Sequence, residues 1–325
     1  MVFPLRMLPW RKHSFDMVTL NDIQSARGRI HPYIEETPVV TIGDEVFLKL
    51  ENRQPIVHGF KIRGAANAMI RLRASSVMTS ALGTHGFAVG YVGKQLGIHT
   101  ICMMIKNPPK IAEEKMKQLV DEVLYGTDEF ASTEQMALAY AREHGIPFVH
   151  PYNNLDVIAG QGTIGLEILE QVPEIKTVYV PIGGGGLISG MAVALKTLRP
   201  DLRVVGVQPA VMHAMATSVE KGCVTKVPQA VSQAEKLAVN LNPETMTFDL
   251  VCRLVDEFLT PNEVQIRDAM QYIYERTGEV VEGAGAISYA AACLDAKRQG
   301  RLLCVVSGGN ISKEDFQQAT GIKVA

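Results

Sequence analysis

The sequence predicts an α/β protein. Three observations carry that expectation. Short β-branched runs alternate with helical patterns along most of the chain, no internal repeat or low-complexity tract interrupts them, and four consecutive glycines, Gly183 to Gly186, separate an apolar run from an amphipathic one. With 325 residues, 47% hydrophobic and 20% charged, the chain can bury a full core and is expected to divide into two lobes.

The elements follow in order. Val77 to Thr79 reads as a short strand, Gly86 to Leu96 as a helix stopped by Gly97, and His99 to Ile105 as the next strand. Ala112 to Leu119 reads as helix. Ser132 with Gln135 makes a capping box for a helix through His144, which Gly145 ends before Phe148 and Val149 extend again. This block is a small open sheet of its own. After "HPYNN" come a helix near Ala159 to Gln171, a strand Thr177 to Ile182, a helix Leu187 to Arg199 closed by Pro200, and a strand Arg203 to Val207. Helices fit Pro261 to Arg276 and Ala284 to Arg298, and Leu302 to Val306 is a last buried strand before "SGGN".

Charge and cysteines exclude several classes. Lys and Arg number 32 against 34 Asp and Glu, for a net charge of -2, and no basic block concentrates on one segment. That leaves no electrostatic case for nucleic acid or an anionic membrane, and the expected partner is a small molecule. Cys102, Cys223, Cys252, Cys293 and Cys304 show no CxxC spacing and read as reduced core thiols of a cytoplasmic protein. The first sixteen residues lack the apolar stretch of a signal peptide, and nothing later approaches a membrane span. Met17 reads as a start preceded by a floppy extension. Asn310-Ile311-Ser312 matches a glycosylation acceptor by chance.

The glycine run points to a phosphate. A glycine turn that leaves a strand and opens a helix exposes backbone N–H groups, the helix dipole favours an anion there, and absent Cβ atoms let it approach. A tight turn or close strand–helix packing is the plainer reading, but one or two glycines suffice for it. The dinucleotide fingerprint fails, because its third glycine would fall at Ile188 or Ser189, and Lys94 in "YVGKQ" lacks the spacing of a Walker motif. A compact cofactor with one phosphate monoester fits better. In "HGFKIRGAANA", Lys61 stands between Phe60 and a helical segment rich in small residues. A lysine in such apolar surroundings sheds its proton more easily and can form a Schiff base with an aldehyde. Alone, it would read as a solvated surface charge.

Taken together and in order, "HGFKIRGAANA", "DVIAGQGTIGLEILEQ", "VPIGGGGLISG", "VVEGAGA" and "VVSGGN" resemble the fold-type II pyridoxal-phosphate enzymes, in the branch of threonine and serine dehydratases, serine racemase and the hydroxyectoine-utilisation dehydratases. The resemblance runs from about Asn21 to Ser312. It implies a fold like the tryptophan synthase β chain, with two open twisted α/β domains. A large cofactor-binding domain would span 1–66 and 154–325, and a smaller substrate-loop domain, 67–153, would be inserted in it. Family members are commonly homodimers.

By the same resemblance, Lys61 would hold pyridoxal 5'-phosphate as a Schiff base with Phe60 packed beside it, and Gly183, Gly184, Gly185, Gly186 and Leu187 would cradle the phosphate. Ser307 would face the pyridine nitrogen; a hydroxyl there stabilises a protonated ring less than a carboxylate would, which favours elimination of a β-substituent. From the residues alone, Ser307 could equally be a turn residue and Glu282, placed near the cofactor, a helix-start charge. The implied chemistry has the freed Lys61 amine remove the substrate α-proton, followed by loss of a β-hydroxyl and hydrolysis to a 2-oxo acid and ammonia. The chain ends soon after "SGGNIS", leaving no room for the regulatory domain of biosynthetic threonine dehydratases, so a catabolic or specialised enzyme is expected.

Two departures from the family pattern matter. The loop expected to bind the substrate carboxylate usually reads Ser-Ser-Gly-Asn-His, whereas here it is Ala81-Leu82-Gly83-Thr84-His85, with Thr84 also expected to contact the cofactor. Leu82 falls at the second acid/base of racemases and cannot exchange a proton, so racemisation is not expected. The family's divalent-cation segment reads "GVQPAVMHAM", with Gln208 in place of Glu and no carboxylate before Glu220; no metal is expected. His85 and His213 lack ligand-spaced partners and read as packed or hydrogen-bonded. Besides a lyase of the dehydratase type, a different β-elimination or β-replacement enzyme and a non-catalytic cofactor-binding relative stay open.

Overall fold

The computed structural model describes residues 2–4 and 18–324. Met17, the expected start, lies outside them. Among the described residues ten strands form two sheets: β1 Val2–Pro4, β2 Val39–Thr41, β3 Val46–Leu50, β4 Ser76–Ser80, β5 His99–Met104, β6 Glu122–Tyr125, β7 Thr177–Pro181, β8 Arg203–Val207, β9 Glu257–Leu259 and β10 Leu302–Val306. The larger sheet runs β1-β9-β8-β7-β10-β3-β2 and the smaller runs β4-β5-β6. From β9 to β3 the large sheet is parallel, with β1 and β2 antiparallel at its edges. The small sheet is parallel throughout, and Phe148 bridges to Met78 beside β4.

Parallel strands joined by helices are covered on both faces, which is why β7 and β10 are buried along their whole length and, Thr177 apart, apolar. Alternate residues feed opposite cores, as the two-residue period of a strand requires. Tyr179, Cys304 and Val306 pack with Ala286, Ile287 and Ala291 of the helix Gly283–Leu294. On the other face, Val178, Val180, Leu303 and Val305 pack with Ile164 and Ile168 of the helix Leu155–Gln171 and with Ile188 and Met191 of the helix Gly186–Leu198. The chain leaves the large sheet through the helix Lys61–Leu72, forms the small sheet, and returns through Leu155–Gln171.

The expected α/β alternation is present, with four corrections. The helix placed after Ser132 begins at Phe130, and Ser132 lies inside it, its hydroxyl donating to Glu129 at 2.7 Å; no capping box forms. The late helix ends at Leu294, short of Arg298, because the Asp295 carboxylate turns away from the axis to accept from the Tyr179 hydroxyl at 2.7 Å and the Lys297 N–H at 2.8 Å. Of the five cysteines only Cys102 and Cys304 are buried, and Cys223 and Cys293 are exposed. Val2–Pro4, within the expected floppy extension, pairs with β9. No helix among the described residues is long and apolar enough to cross a membrane.

Candidate active site

Lys61 opens the helix Lys61–Leu72, whose start is anchored by a buried ionic cluster that the sequence alone did not disclose. Two residues on, Arg63 is fully buried and donates to Glu51 at 2.8 Å and 2.9 Å and to Glu167 at 2.9 Å, while Lys49 reaches Glu167 at 2.5 Å and the Thr37 carbonyl at 2.6 Å. Burying these ions costs solvation that only complete pairing offsets, so the cluster fixes the relative position of β3 and both helices. Lys61 itself has no carboxylate partner among the described residues. Its amine donates to the Pro151 carbonyl at 2.9 Å and lies 5.1 Å from the centre of the Phe60 ring. Burial without a counter-ion pushes it down to about 8 from the ordinary 10.5.

The glycine loop reaches the same point from the other side. Beyond Pro151, the Tyr152 ring packs so closely on the loop that a Cβ on Gly184 would lie 2.4 Å from it. Gly185 adopts a left-handed φ of +89° and starts the helix Gly186–Leu198 with no side chain capping its N–H groups. Thr247 donates its hydroxyl to the Gly184 carbonyl at 2.7 Å, which holds the peptide in orientation. The helix start behind Gly183 to Gly186 and Leu187 therefore offers uncapped donors to an anion, and the Tyr152 ring packed on it follows directly after Pro151, the acceptor of the Lys61 amine.

Ser307 closes this group. Its backbone carbonyl accepts from the Phe60 N–H at 3.1 Å, and its buried hydroxyl donates to the Ala284 carbonyl at 3.0 Å. Glu282, just before the helix Gly283–Leu294, is buried and ion-paired with Lys236, whose carbonyl would lie 2.9 Å from a Cβ on Gly183.

The loop Ala81 to His85 adjoins through Thr84. A Cβ on Gly59 would lie 2.9 Å from the Thr84 methyl, and the Thr84 hydroxyl accepts from Asn310 Nδ2 at 3.0 Å. Ala81 is buried, Leu82 is 40% exposed, and Gly83 is extended before the helix Thr84–Leu96. His85 is buried with Nε2 3.0 Å from the Val149 carbonyl. Burial first, and the Lys61 charge second, hold it down to about 3; the same two causes hold His150 down to about 4. His213 is tied to the Ala210 carbonyl through Nδ1 at 2.9 Å. Gln208 is buried and its side-chain oxygen accepts from the Ala216 N–H at 2.9 Å. Sequence reasoning did not single out Tyr152, Lys115, Lys236 or Asn310 for this site. The glycosylation-like "NIS" pointed away from Asn310, whose amide is turned inward to the Val57 carbonyl at 2.7 Å.

An uncapped glycine turn for a phosphate and a buried neutral hydroxyl, each at the end of a parallel strand, with a half-buried amine of lowered pKa beside them, define an α/β enzyme that can hold a phosphorylated aldehyde. The chain belongs to the pyridoxal-phosphate dependent enzyme family, whose model matches residues 30–308. It is 37% identical over 308 residues to an L-threonine ammonia-lyase of Thermotoga maritima, covering 91% of this chain and 76% of that one. To a catabolic L-threonine dehydratase of Staphylococcus aureus it is 36% identical over 324 residues, 94% of this chain and 92% of that one. Among solved structures, maize serine racemase superposes with a TM-score of 0.86 at 33% identity, over 93% of this chain and 96% of that one. The processed form of threonine deaminase isoform 2 from Solanum lycopersicum gives 0.89 at 28% identity, over 98% and 91%.

Proposed function

We propose that the protein is a lyase that eliminates the β-hydroxyl of an amino acid and releases a 2-oxo acid and ammonia. The observation that carries this reading is Lys61, a half-buried amine with no counter-ion among the described residues, set beside the glycine loop through Pro151 and Tyr152. The names of the threonine ammonia-lyase and dehydratase relatives support it. Pyridoxal phosphate, when bound, supplies the electron-withdrawing ring that lets a proton leave the substrate Cα.

The other steps belong to the chain. Lys61 would hold the aldehyde carbon at rest; its freed amine, with a pKa near 8, then takes the Cα proton, a task suited to a base that titrates near neutral pH. Gly183 to Gly186 and Leu187 would bind the phosphate through backbone N–H groups, and Phe60 packs the amine. Ser307 would meet the ring nitrogen with a neutral hydroxyl, withholding the charge that would prolong a carbanion. The Ala81 to His85 loop would take the α-carboxylate on backbone N–H groups and the Thr84 hydroxyl, whose oxygen accepts from Asn310 and whose proton is free to donate. Glu282 would border the ring.

This reading includes a large domain of 1–66 and 154–325 that holds the cofactor, and a domain of 67–153 that closes on the substrate. It includes a cytoplasmic homodimer and no divalent cation. Borohydride reduction followed by peptide mapping, with a screen of β-hydroxy amino acids for 2-oxo acid, tests it. The adduct is expected on Lys61; an adduct on another lysine, or no 2-oxo acid from any amino acid screened, would overturn it.

A further inference from the structure

Three segments distant in sequence bring a second set of charges to the Thr84 side. Lys115 lies on the helix Lys110–Leu119, Lys236 in the short turn Glu235–Leu237, and Asn310 four residues beyond β10. Asn310 joins them. Its Oδ1 accepts from the Lys115 amine at 2.9 Å, its backbone carbonyl from the Lys236 amine at 3.3 Å, and its Nδ2 donates to the Thr84 hydroxyl at 3.0 Å. One asparagine thus places two ammonium groups next to the loop expected to hold the substrate.

The charges there do not balance. Lys236 pairs with Glu282, whereas Lys115 has no carboxylate within 4.0 Å among the described residues and lies 4.6 Å from the centre of the Phe87 ring. Two partly buried cations share one carboxylate. Their mutual repulsion is visible in Lys115, held below the ordinary lysine value by burial, then by Lys236, against the pull of Glu282. A latch between loops would need only the Lys236–Glu282 pair and Asn310. Lys115 adds a charge that such a latch has no use for, and a partly buried ammonium without an anion is held at a cost. Leu82, 40% exposed on the neighbouring loop, offers no polar contact.

We propose that Lys115 and Lys236 form an anion subsite that selects an amino acid bearing a second carboxylate on its side chain; this rests on the elimination reading for the reaction itself. The α-carboxylate goes to the Thr84 loop and the side-chain carboxylate to the two ammonium groups. Charge-assisted hydrogen bonds to both lysines make the dicarboxylate the better ligand, whereas a neutral side chain leaves Lys115 without an anion.

The test compares the inert dianion succinate with the monoanion butyrate by calorimetry on the holoenzyme, and 3-hydroxyaspartate with threonine by 2-oxo acid release. The native protein should bind succinate at least about tenfold more tightly than butyrate, and Lys115→Met and Lys236→Met should each bring the ratio toward one. Lys115→Arg should keep most of the preference. Lys117→Met, on the exposed face of the same helix, should leave it whole. Equal binding of the two acids, or a preference that survives both Met changes, overturns the subsite even if threonine is turned over well. A lysine-dependent succinate preference in a protein that releases no 2-oxo acid supports the subsite and overturns the elimination reading instead. Phosphoserine serves as a further arm: tighter binding than 3-hydroxyaspartate would overturn the carboxylate as the selected group.

Discussion

The Lys61 side of the site and the Thr84 side hold their polar groups in different ways. Around Lys61 the fixed parts are backbone: the Pro151 carbonyl, the N–H groups of an uncapped helix and a glycine turn held by Thr247. Around Thr84 they are side chains, with Lys115, Lys236, Glu282 and Asn310 reaching one another from four segments. Backbone donors cannot be altered by substitution without altering the turn itself, so they suit a cofactor common to a family. Long side chains can be exchanged one at a time, which suits the choice of substrate. The replacement of a Ser-Ser-Gly-Asn-His pattern by Ala81-Leu82-Gly83-Thr84-His85 falls on the second side, while the glycine run and Lys61 stand intact on the first.

The most severe way to break the first side is Lys61→Ala. Removing both the attachment point and the base should lower 2-oxo acid release by about a thousandfold or more, with thermal stability retained. Loss below tenfold would place the base elsewhere.

The second test uses the lowered pKa of Lys61. An amine attacks an aldehyde only when neutral, and burial disfavours its charged form, so the pKa falls. With the cofactor removed, capture of an aldehyde at Lys61 should rise with pH and level off above about 8. At pH 7 its neutral fraction should exceed that of an ordinary lysine by about 300-fold. A rate still climbing past pH 10 would mean an ordinary solvated amine.

A smaller effect is expected on the Thr84 side. The double change Leu82→Ser with Thr84→Asn restores side-chain donors worth about 0.5–1.5 kcal/mol each, and should raise kcat/KM on threonine by about tenfold. Efficient native turnover of threonine with no gain from the double change would show that the loop is not what limits that substrate.

The smallest expected effect is that of chelation. Gln208 has committed its oxygen to the Ala216 N–H and Met212 is buried, so a chelator should leave activity and Tm nearly unchanged. A loss restored by magnesium or calcium would refute cation independence.

Much of the fold was legible because its signals are local. The strand Arg203–Val207 and the helices Glu263–Thr277 and Gly186–Leu198 follow from runs of apolar residues and from stop signals a few positions away, such as Pro200 after the helix Gly186–Leu198. The strands Glu122–Tyr125 and Glu257–Leu259 were not read, being three or four residues long and carrying a charge at the start. Ser132 misled because a hydroxyl followed three residues later by glutamine has the form of a cap, while the contacts of Thr127 and Glu129 start the helix earlier.

The sequence by itself carried the motifs whose resemblance to a family implied the cofactor, and its four adjacent glycines between strand and helix pointed to a phosphate through their immediate neighbours. Only the tertiary structure decided how charged the site is. The depressed Lys61 amine, the fully paired burial of Arg63 and Lys49, and the convergence of Lys115 and Lys236 on Asn310 depend on which distant segments exclude water from the same volume. The free energy of a charge is set by that exclusion and by its partners, neither of which is written in the order of residues around it.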